Sequence, residues 1–164
     1  MPRATDQSTD EARAVSQFLM GAWSLLECAE IMQDGSGRLP LGDRALGQVV
    51  YTADGRMSAQ LVRADRAAFA SDDYRGAPVD VAGEAFQQYF GYFGSYMVDA
   101  SAGTVTHLIE GAWFPNLENK AQVRTFRLEG DRLILEAATP WSVIAIPGCG
   151  QAPAPSQARS RAIR

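Results

Sequence analysis

The sequence predicts a mainly β fold: a small antiparallel up-and-down β-barrel with an N-terminal helix and a helical insertion covering one mouth. Strand-like runs meet at short turns that contain glycine, as in β-hairpins, and these turns are Asp54-Gly55, Ala102-Gly103 and Gly130-Asp131. The first strand-like run opens at Gly21-Ala22-Trp23. A meander of hairpins behind an early tryptophan is typical of a closed barrel, and such a barrel encloses a space of its own.

One helix precedes the strands. Residues from Thr9 to Met20 predict this helix, because their apolar members recur at helical spacing after the cap signal Ser8-Thr9-Asp10. It either lies against the barrel or plugs one end. The predicted strands are 22–32, 46–52, 55–62, 95–100, 103–112, 120–129 and 132–138, with 140–147 as an optional last strand. Residues 63–78 are charged and end with Gly76 and Pro78, which indicates a loop or a broken helix.

A second helix is predicted between the strands, from Asp80 to about Phe93. The Asp80 carboxylate can accept hydrogen bonds from the free amides of the first helical turn. Apolar and aromatic residues then recur three and four positions apart, namely Ala82, Phe86, Tyr89, Phe90 and Phe93, with Tyr92 at the edge of this face. Two interpretations stay open: the helix closes the open side of the barrel, or it is a lid whose tyrosines also contact a ligand.

Length and charge predict one soluble domain. The 164 residues can bury one good core, which we place at 9–148, between a flexible N-terminus at 1–8 and a disordered tail at 149–164. The net charge is -4, and the 15 Lys and Arg residues form no basic stripe, so nucleic acid is not an expected partner. The chain has no apolar run of the roughly 20 residues that span a bilayer, and its polar start lacks a secretory segment. We therefore expect no membrane association and a cytoplasmic location.

Several chemistries lack their sequence signals. The chain has no phosphate-binding glycine loop, no dinucleotide-binding G-x-G-x-x-G after a strand and no G-x-S-x-G elbow. It has one histidine, and its two cysteines, Cys28 and Cys149, lack the spacing of zinc ligands. We expect no metal site and no cofactor, and haem bound through His107 alone has no positive support.

Several short motifs follow one another in a characteristic order and spacing. They are Gly21-Ala22-Trp23, Gly47, Tyr51, Asp54-Gly55-Arg56-Met57-Ser58-Ala59, Tyr96-Met97-Val98-Asp99, Val105-Thr106-His107, Pro115-Asn116 and the run from Arg124 to Leu133. In this order and spacing the chain resembles the bacterial and fungal lipocalin-like domain proteins over about residues 19–138. The resemblance implies a calycin-type antiparallel barrel with a helical insertion across one mouth. It implies little about activity, because such barrels serve as carriers and also as cofactor-free enzymes.

Strand alternation places candidate site residues. If Trp23 faces the interior, Leu25 and Glu27 face it too. The resembling sequences usually carry a small hydroxyl residue in place of Glu27. A buried carboxylate has a raised pKa and can transfer protons near neutral pH. The alternative is a register slip at a bulge, which leaves Glu27 in water beside Glu30.

His107 is the single histidine, and it shares a strand face with Val105 and Ile109. That apolar face predicts an inward imidazole, which is either a general base or hydrogen-bond donor, or a satisfied core residue. If the opposite face is the inner one, Glu110 replaces His107 as the candidate.

Arg124 alternates with Phe126 and Leu128 and is the third candidate. Facing inward, its guanidinium binds a carboxylate, enolate or phenolate, or pairs with Glu27. The alternative is a structural ion pair at the barrel end. The residues predicted to contact the ligand, by their position and aromatic or flexible side chains, are Trp23, Tyr51, Met57, Tyr89, Tyr96, Trp113 and Phe126.

Two functions follow from these residues. The first is a cofactor-free enzyme in which Glu27 or His107 moves a proton on a largely apolar aromatic, terpenoid or polyketide-like substrate, with Arg124 stabilising negative charge. Isomerisation, cyclisation, dehydration and carbon–carbon lyase chemistry all fit. The alternative is a carrier or sensor of a small hydrophobic or aromatic molecule. A homodimer through a barrel edge or the first helix stays open.

Overall fold

A computed structural model describes residues 14–15, 17–32, 34–137 and 141–147. The predicted flexible N-terminus, the predicted tail at 149–164 and Cys149 lie outside these residues, as does the first part of the predicted N-terminal helix. Positions 14, 15 and 17–19 are helical, which agrees with the end of that prediction. None of the helices in this described part of the chain is long and apolar enough to cross a membrane.

The described strands form one antiparallel sheet that closes on itself. They are β1 (Gly21–Ile31), β2 (Gly37–Arg38), β3 (Leu46–Tyr51), β4 (Arg56–Val62), β5 (Tyr89–Asp99), β6 (Thr104–Ala112), β7 (Ala121–Glu129), β8 (Arg132–Ala137) and β9 (Trp141–Pro147). From β3 to β9 each strand pairs with the next. The barrel closes because β1 pairs with β3 through residues 21–24 and with β9 through residues 23–30, while β2 pairs with the far end of β1. This confirms the predicted up-and-down barrel.

The predicted hairpin turns are also present. Gly55, Gly103 and Gly130 have φ values of 81°, 63° and 66°. These positive φ values favour glycine, because a Cβ atom makes this backbone conformation costly. The turns between β3 and β4, β5 and β6, and β7 and β8 are therefore specified locally by the sequence.

The second helix is shorter than predicted. It is α1 (Val79–Gln87), and β5 begins two residues later at Tyr89. The three- and four-residue spacing of the aromatic residues indicated a helix, but the same run also has aromatic residues two positions apart, which is the spacing of one face of a strand. Gly91 and Gly94 weaken a helix, while aromatic residues favour a strand. The prediction of one aromatic helix face from Asp80 to Phe93 is therefore wrong.

α1 covers little of the barrel. Asp80 lies in its first turn, but Pro78 occupies the N-cap position and no side chain caps the helix. None of the residues of α1 is buried. Its contact with the barrel interior is Phe86, whose ring stacks on Trp113 with 6.0 Å between centroids. The loop before it contains one 3-10 turn, Tyr74–Gly76.

The two ends of the barrel interior differ. At one end, which we call the closed end, Leu19 from the N-terminal helical residues packs with Trp23, Tyr51, Met57 and Val105. The indole of Trp23 donates a hydrogen bond of 2.9 Å to the Leu19 carbonyl, so this helix end plugs the barrel. The opposite end is bordered by Cys28, Leu61 and Phe90.

Candidate functional site

Two cavities lie in the barrel interior and share part of their walls. The larger has a volume of about 180 Å³ and the smaller about 30 Å³. Leu61, Phe90, Tyr92 and Arg124 line both. The other residues of the larger cavity are Cys28, Ile109, Trp113, Phe114, Leu117 and Gln122. A cavity of roughly 150 Å³ lined by apolar side chains is known to bind benzene, so the larger cavity has room for one ring and a small substituent.

Three hydrogen-bonded side chains connect the core to the wall of these cavities. His107, which is 1% exposed, bonds through Nε2 to the Tyr51 hydroxyl at 2.8 Å and through Nδ1 to the Tyr92 hydroxyl at 2.7 Å. A neutral imidazole has one N–H donor and one acceptor nitrogen, so one tyrosine donates to the ring and the other accepts from it. Tyr92 borders both cavities, and the hydrogen-bonded chain therefore ends where a ligand would lie.

His107 is held in its neutral form. Burial, and to a lesser degree the positive charge of Arg124, lower the pKa of His107 to about 3. Burial raises the pKa of Tyr51 well above its usual value. At neutral pH the imidazole of His107 is therefore uncharged and the phenol of Tyr51 keeps its proton.

The guanidinium group of Arg124 places a positive charge in the walls of both cavities. Arg124 is 8% exposed, and its Nη1 atom is buried without a hydrogen-bond partner among the described residues. Neither cavity is lined by an aspartate or a glutamate, and no described residue forms an ion pair with Arg124. The predicted inward position is confirmed, whereas the predicted pairing with Glu27 is absent from the described residues.

Two further groups of the larger cavity carry polar atoms. The indole Nε1 of Trp113 is buried and also lacks a partner among the described residues. Cys28 lines the cavity, and burial raises the pKa of its thiol to about 11, so the thiol is uncharged. In the described part of the chain, no three His, Cys, Asp or Glu side chains are grouped as ligands of a metal ion would be.

Glu27 does not face the interior, so the predicted inward position is wrong. The pairing of β1 with β9 shifts between Leu25 and Glu27, which leaves Leu26 as the extra residue of a β-bulge. The bulge reverses the alternation, so that Cys28 is buried and Glu27 is exposed. The structure thus has the register slip that was the alternative interpretation.

Glu110, the alternative to His107, lies on the outer face. Its carboxylate forms a two-bond ion pair with Arg56, in which Nη2 donates to Oε2 at 2.7 Å. The face of β6 that carries His107 is therefore the inner one.

The predicted ligand-contacting residues separate into three groups. Trp23 and Trp113 line the cavities, and Tyr51 reaches them through His107. Met57, Tyr96 and Phe126 pack in the core and line neither cavity. Tyr89 alternates with the inward Phe90 and lies in an outer groove beside Gln60 and Gly91, because it belongs to a strand and not to the predicted helix.

Sequence reasoning missed Phe90 and Tyr92 as cavity residues. The sequence signal was their spacing: Phe90 and Tyr92 are two positions apart, as residues on one face of a strand are. The glycines Gly91 and Gly94 in the same run disfavour a helix. Phe114 and Leu117 were missed for a different reason. They reach the cavity from the connection between β6 and β7, where a 3-10 turn at Pro115–Leu117 sets their direction, and no periodic pattern marks such a turn.

A family model described as the lipocalin-like domain matches residues 20–149. The chain belongs to the lipocalin-like domain family. This confirms the resemblance noted from the sequence and agrees with the curled antiparallel barrel. A comparison of this lipocalin-like domain protein with curated proteins gave no match. The lipocalin-like fold and the apolar cavity walls are both consistent with binding of a small hydrophobic molecule.

Proposed function

We propose that this lipocalin-like domain protein binds one small, largely apolar molecule containing a single ring, in the larger cavity. The observation that carries the proposal is a cavity of about 180 Å³ with aromatic walls formed by Phe90, Trp113 and Phe114. A ligand that fills this cavity recovers dispersion contacts and removes its own apolar surface from water.

The test is a titration with toluene, a neutral probe with one ring, followed by the intrinsic tryptophan fluorescence and by protein NMR shifts. The variant Leu117→Trp places a larger side chain at the rim of the cavity and should abolish binding. Leu108→Trp is the matched control, because Leu108 is exposed on β6 outside both cavities. Failure of the wild-type protein to bind toluene saturably, or equal binding by the Leu117→Trp variant, contradicts the proposal.

A second candidate function is cofactor-free proton transfer on the bound molecule, and the Tyr51–His107–Tyr92 chain favours it. When the His107 ring donates to the Tyr92 oxygen, the Tyr92 hydroxyl hydrogen is free to bond to a ligand. Tyr92 can then pass this proton to the ligand while His107 passes its own proton to Tyr92 and Tyr51 passes one to His107. This leaves the negative charge on Tyr51, where the positive charge of Arg124 opposes the effect of burial, and a proton removed from another position of the substrate returns along the same three side chains to restore Tyr51. Arg124 would stabilise negative charge that develops on the substrate. Isomerisation, cyclisation, dehydration and lyase reactions all need a proton transfer of this kind.

Binding and catalysis are separated by the molecule that the protein carries. Native mass spectrometry of protein purified from its own host identifies any retained compound, which is then released and incubated with fresh protein. An altered compound supports catalysis, and the same compound returned unchanged supports binding alone. For catalysis, Tyr92→Phe should bind but not convert the compound. Tyr96→Phe should convert it normally, because the Tyr96 hydroxyl donates to the Thr52 carbonyl and not to His107.

A further inference from the structure

We infer that the ligand of the larger cavity is an anion, a small aromatic carboxylate whose oxygen atoms accept hydrogen bonds from Arg124 and Trp113. The inference rests on the proposed function, because it names the chemical class of the molecule that this cavity binds. Three observations carry it: an uncompensated positive charge, two unpartnered donors and an aromatic wall.

The positive charge of Arg124 has no counterpart in the described interior. Its side chain is 8% exposed, and the walls of both cavities contain no carboxylate. Two interior groups that could become anions stay neutral, because burial raises the pKa of the Cys28 thiol to about 11 and raises that of Tyr51 as well. Glu27 and Glu30 act on Cys28 electrostatically, but neither lines a cavity. A buried charge without a partner is among the most costly features of a protein interior. An anionic ligand removes this cost on binding.

The two unpartnered donors belong to residues that line the same cavity. Arg124 Nη1 and Trp113 Nε1 are the buried side-chain nitrogen or oxygen atoms without a hydrogen-bond partner among the described residues, and both residues line the larger cavity. Buried donors are nearly always satisfied in native structures, so an orphaned pair calls for an acceptor. Both groups are donors only. A carboxylate accepts through each of its two oxygen atoms and therefore matches a charged donor beside a neutral one.

The rest of the wall selects an aromatic body for this anion. Phe90 and Phe114 line the cavity, and the Phe90 ring lies 4.4 Å from that of Trp113 between centroids. Aromatic rings prefer tilted and offset contacts with one another. The volume of about 180 Å³ has room for a single ring. A molecule of the benzoate or phenylacetate class meets all three conditions, whereas a hydrated inorganic anion does not use the apolar wall.

The test compares three probes of similar shape at pH 7: benzoate, its neutral amide benzamide and the apolar toluene. The wild-type protein should bind benzoate more tightly than benzamide. Arg124→Gln should weaken benzoate binding roughly 10- to 100-fold, because a charge-assisted hydrogen bond is lost, and should weaken toluene binding much less, because toluene accepts no such hydrogen bond. Arg127→Gln is the matched control on the same strand, since Arg127 faces outward and pairs with Glu129 and Glu136.

Trp113→Phe is a second variant that tests the neutral donor separately. It keeps an aromatic ring and removes the N–H group, so benzoate binding should weaken several-fold while toluene binding persists. The inference is overturned if the wild-type protein binds benzoate and benzamide equally, or if Trp113→Phe and Arg124→Gln leave benzoate binding intact. Binding of toluene without any preference for benzoate overturns this inference alone. Binding of none of the three probes overturns the proposed function as well.

Discussion

The two ends of the barrel interior contain similar residue types. The polar atoms of these residues are hydrogen-bonded at one end and, in the described part of the chain, lack partners at the other. At the closed end, the Trp23 indole donates to the Leu19 carbonyl and the Tyr96 hydroxyl donates to the Thr52 carbonyl. At the cavity end, the Trp113 indole and one nitrogen of Arg124 lack partners among the described residues. The closed end thus satisfies its polar atoms within the protein, whereas the cavity end leaves donors that the proposed ligand would satisfy. On this proposal, the groups that stabilise the fold and the groups that bind the ligand are separated along the barrel axis.

The largest test of this comparison uses the two indoles, with the same substitution at each. Trp23→Phe should lower the free energy of unfolding by about 2 to 4 kcal/mol, because it leaves the buried Leu19 carbonyl without its donor and enlarges the cavity of about 30 Å³ that Trp23 borders. Trp113→Phe should change it by less than about 0.5 kcal/mol, because no hydrogen bond is lost and the removed atoms border a cavity. Urea unfolding followed by circular dichroism measures both values. Equal losses would show that the two ends do not differ as we describe.

The second test concerns His107, which lies where the two ends meet. Its pKa in the folded protein is about 3, whereas the unfolded chain has the ordinary value of about 6.5. Between these two values the unfolded chain binds a proton that the folded protein does not bind. Acidification therefore favours unfolding by up to about 1.4 kcal/mol for each pH unit. From about pH 7 to pH 5 the unfolding free energy should fall by about 2 kcal/mol.

The control for this pH dependence is His107→Gln, whose amide can still donate and accept hydrogen bonds but does not titrate. Its stability should be nearly independent of pH over the same range. The surface carboxylates with lowered pKa values titrate below this range and do not interfere; they are Asp34, Asp54, Asp65, Asp99 and Glu110. His107 is the single histidine of the chain, so no other imidazole contributes. Parallel pH profiles for the two proteins would contradict a neutral, buried His107.

The sequence predicted the local parts of this architecture well. Alternation and glycine turns are local properties, so they located the strands, the hairpins and the inward faces of β6 and β7 with His107 and Arg124. The barrel itself follows from a succession of such hairpins.

The errors arose at two places. At one, a single extra residue changed which side chains face the interior, and at the other, the sequence fitted both a helix and a strand. Leu26 forms a bulge in β1, and no residue type announces it, because the bulge depends on pairing with β9 far along the chain. That one residue moved Glu27 from the predicted site to the surface. The run that begins at Tyr89 fitted both the helical and the strand spacing of apolar residues. Its pairing with β4 makes it a strand. The cavity end was therefore less predictable than the closed end, since loops and irregularities form more of it.

The smallest expected effect is on the stability of the ligand-free protein, and it tests whether Arg124 serves binding and not folding. Arg124→Met replaces a buried guanidinium by an apolar side chain of similar length. Because the positive charge has no partner among the described residues, the variant should be more stable than the wild-type protein by about 1 kcal/mol. Arg127→Met on the outer face of the same strand breaks exposed ion pairs and should lower the free energy of unfolding by about 0.5 kcal/mol or less.

Thermal unfolding of both ligand-free variants provides the comparison. Saturating benzoate should stabilise the wild-type protein but not Arg124→Met. A loss of stability in ligand-free Arg124→Met would instead place Arg124 among the groups that hold the barrel together, as Trp23 does at the closed end.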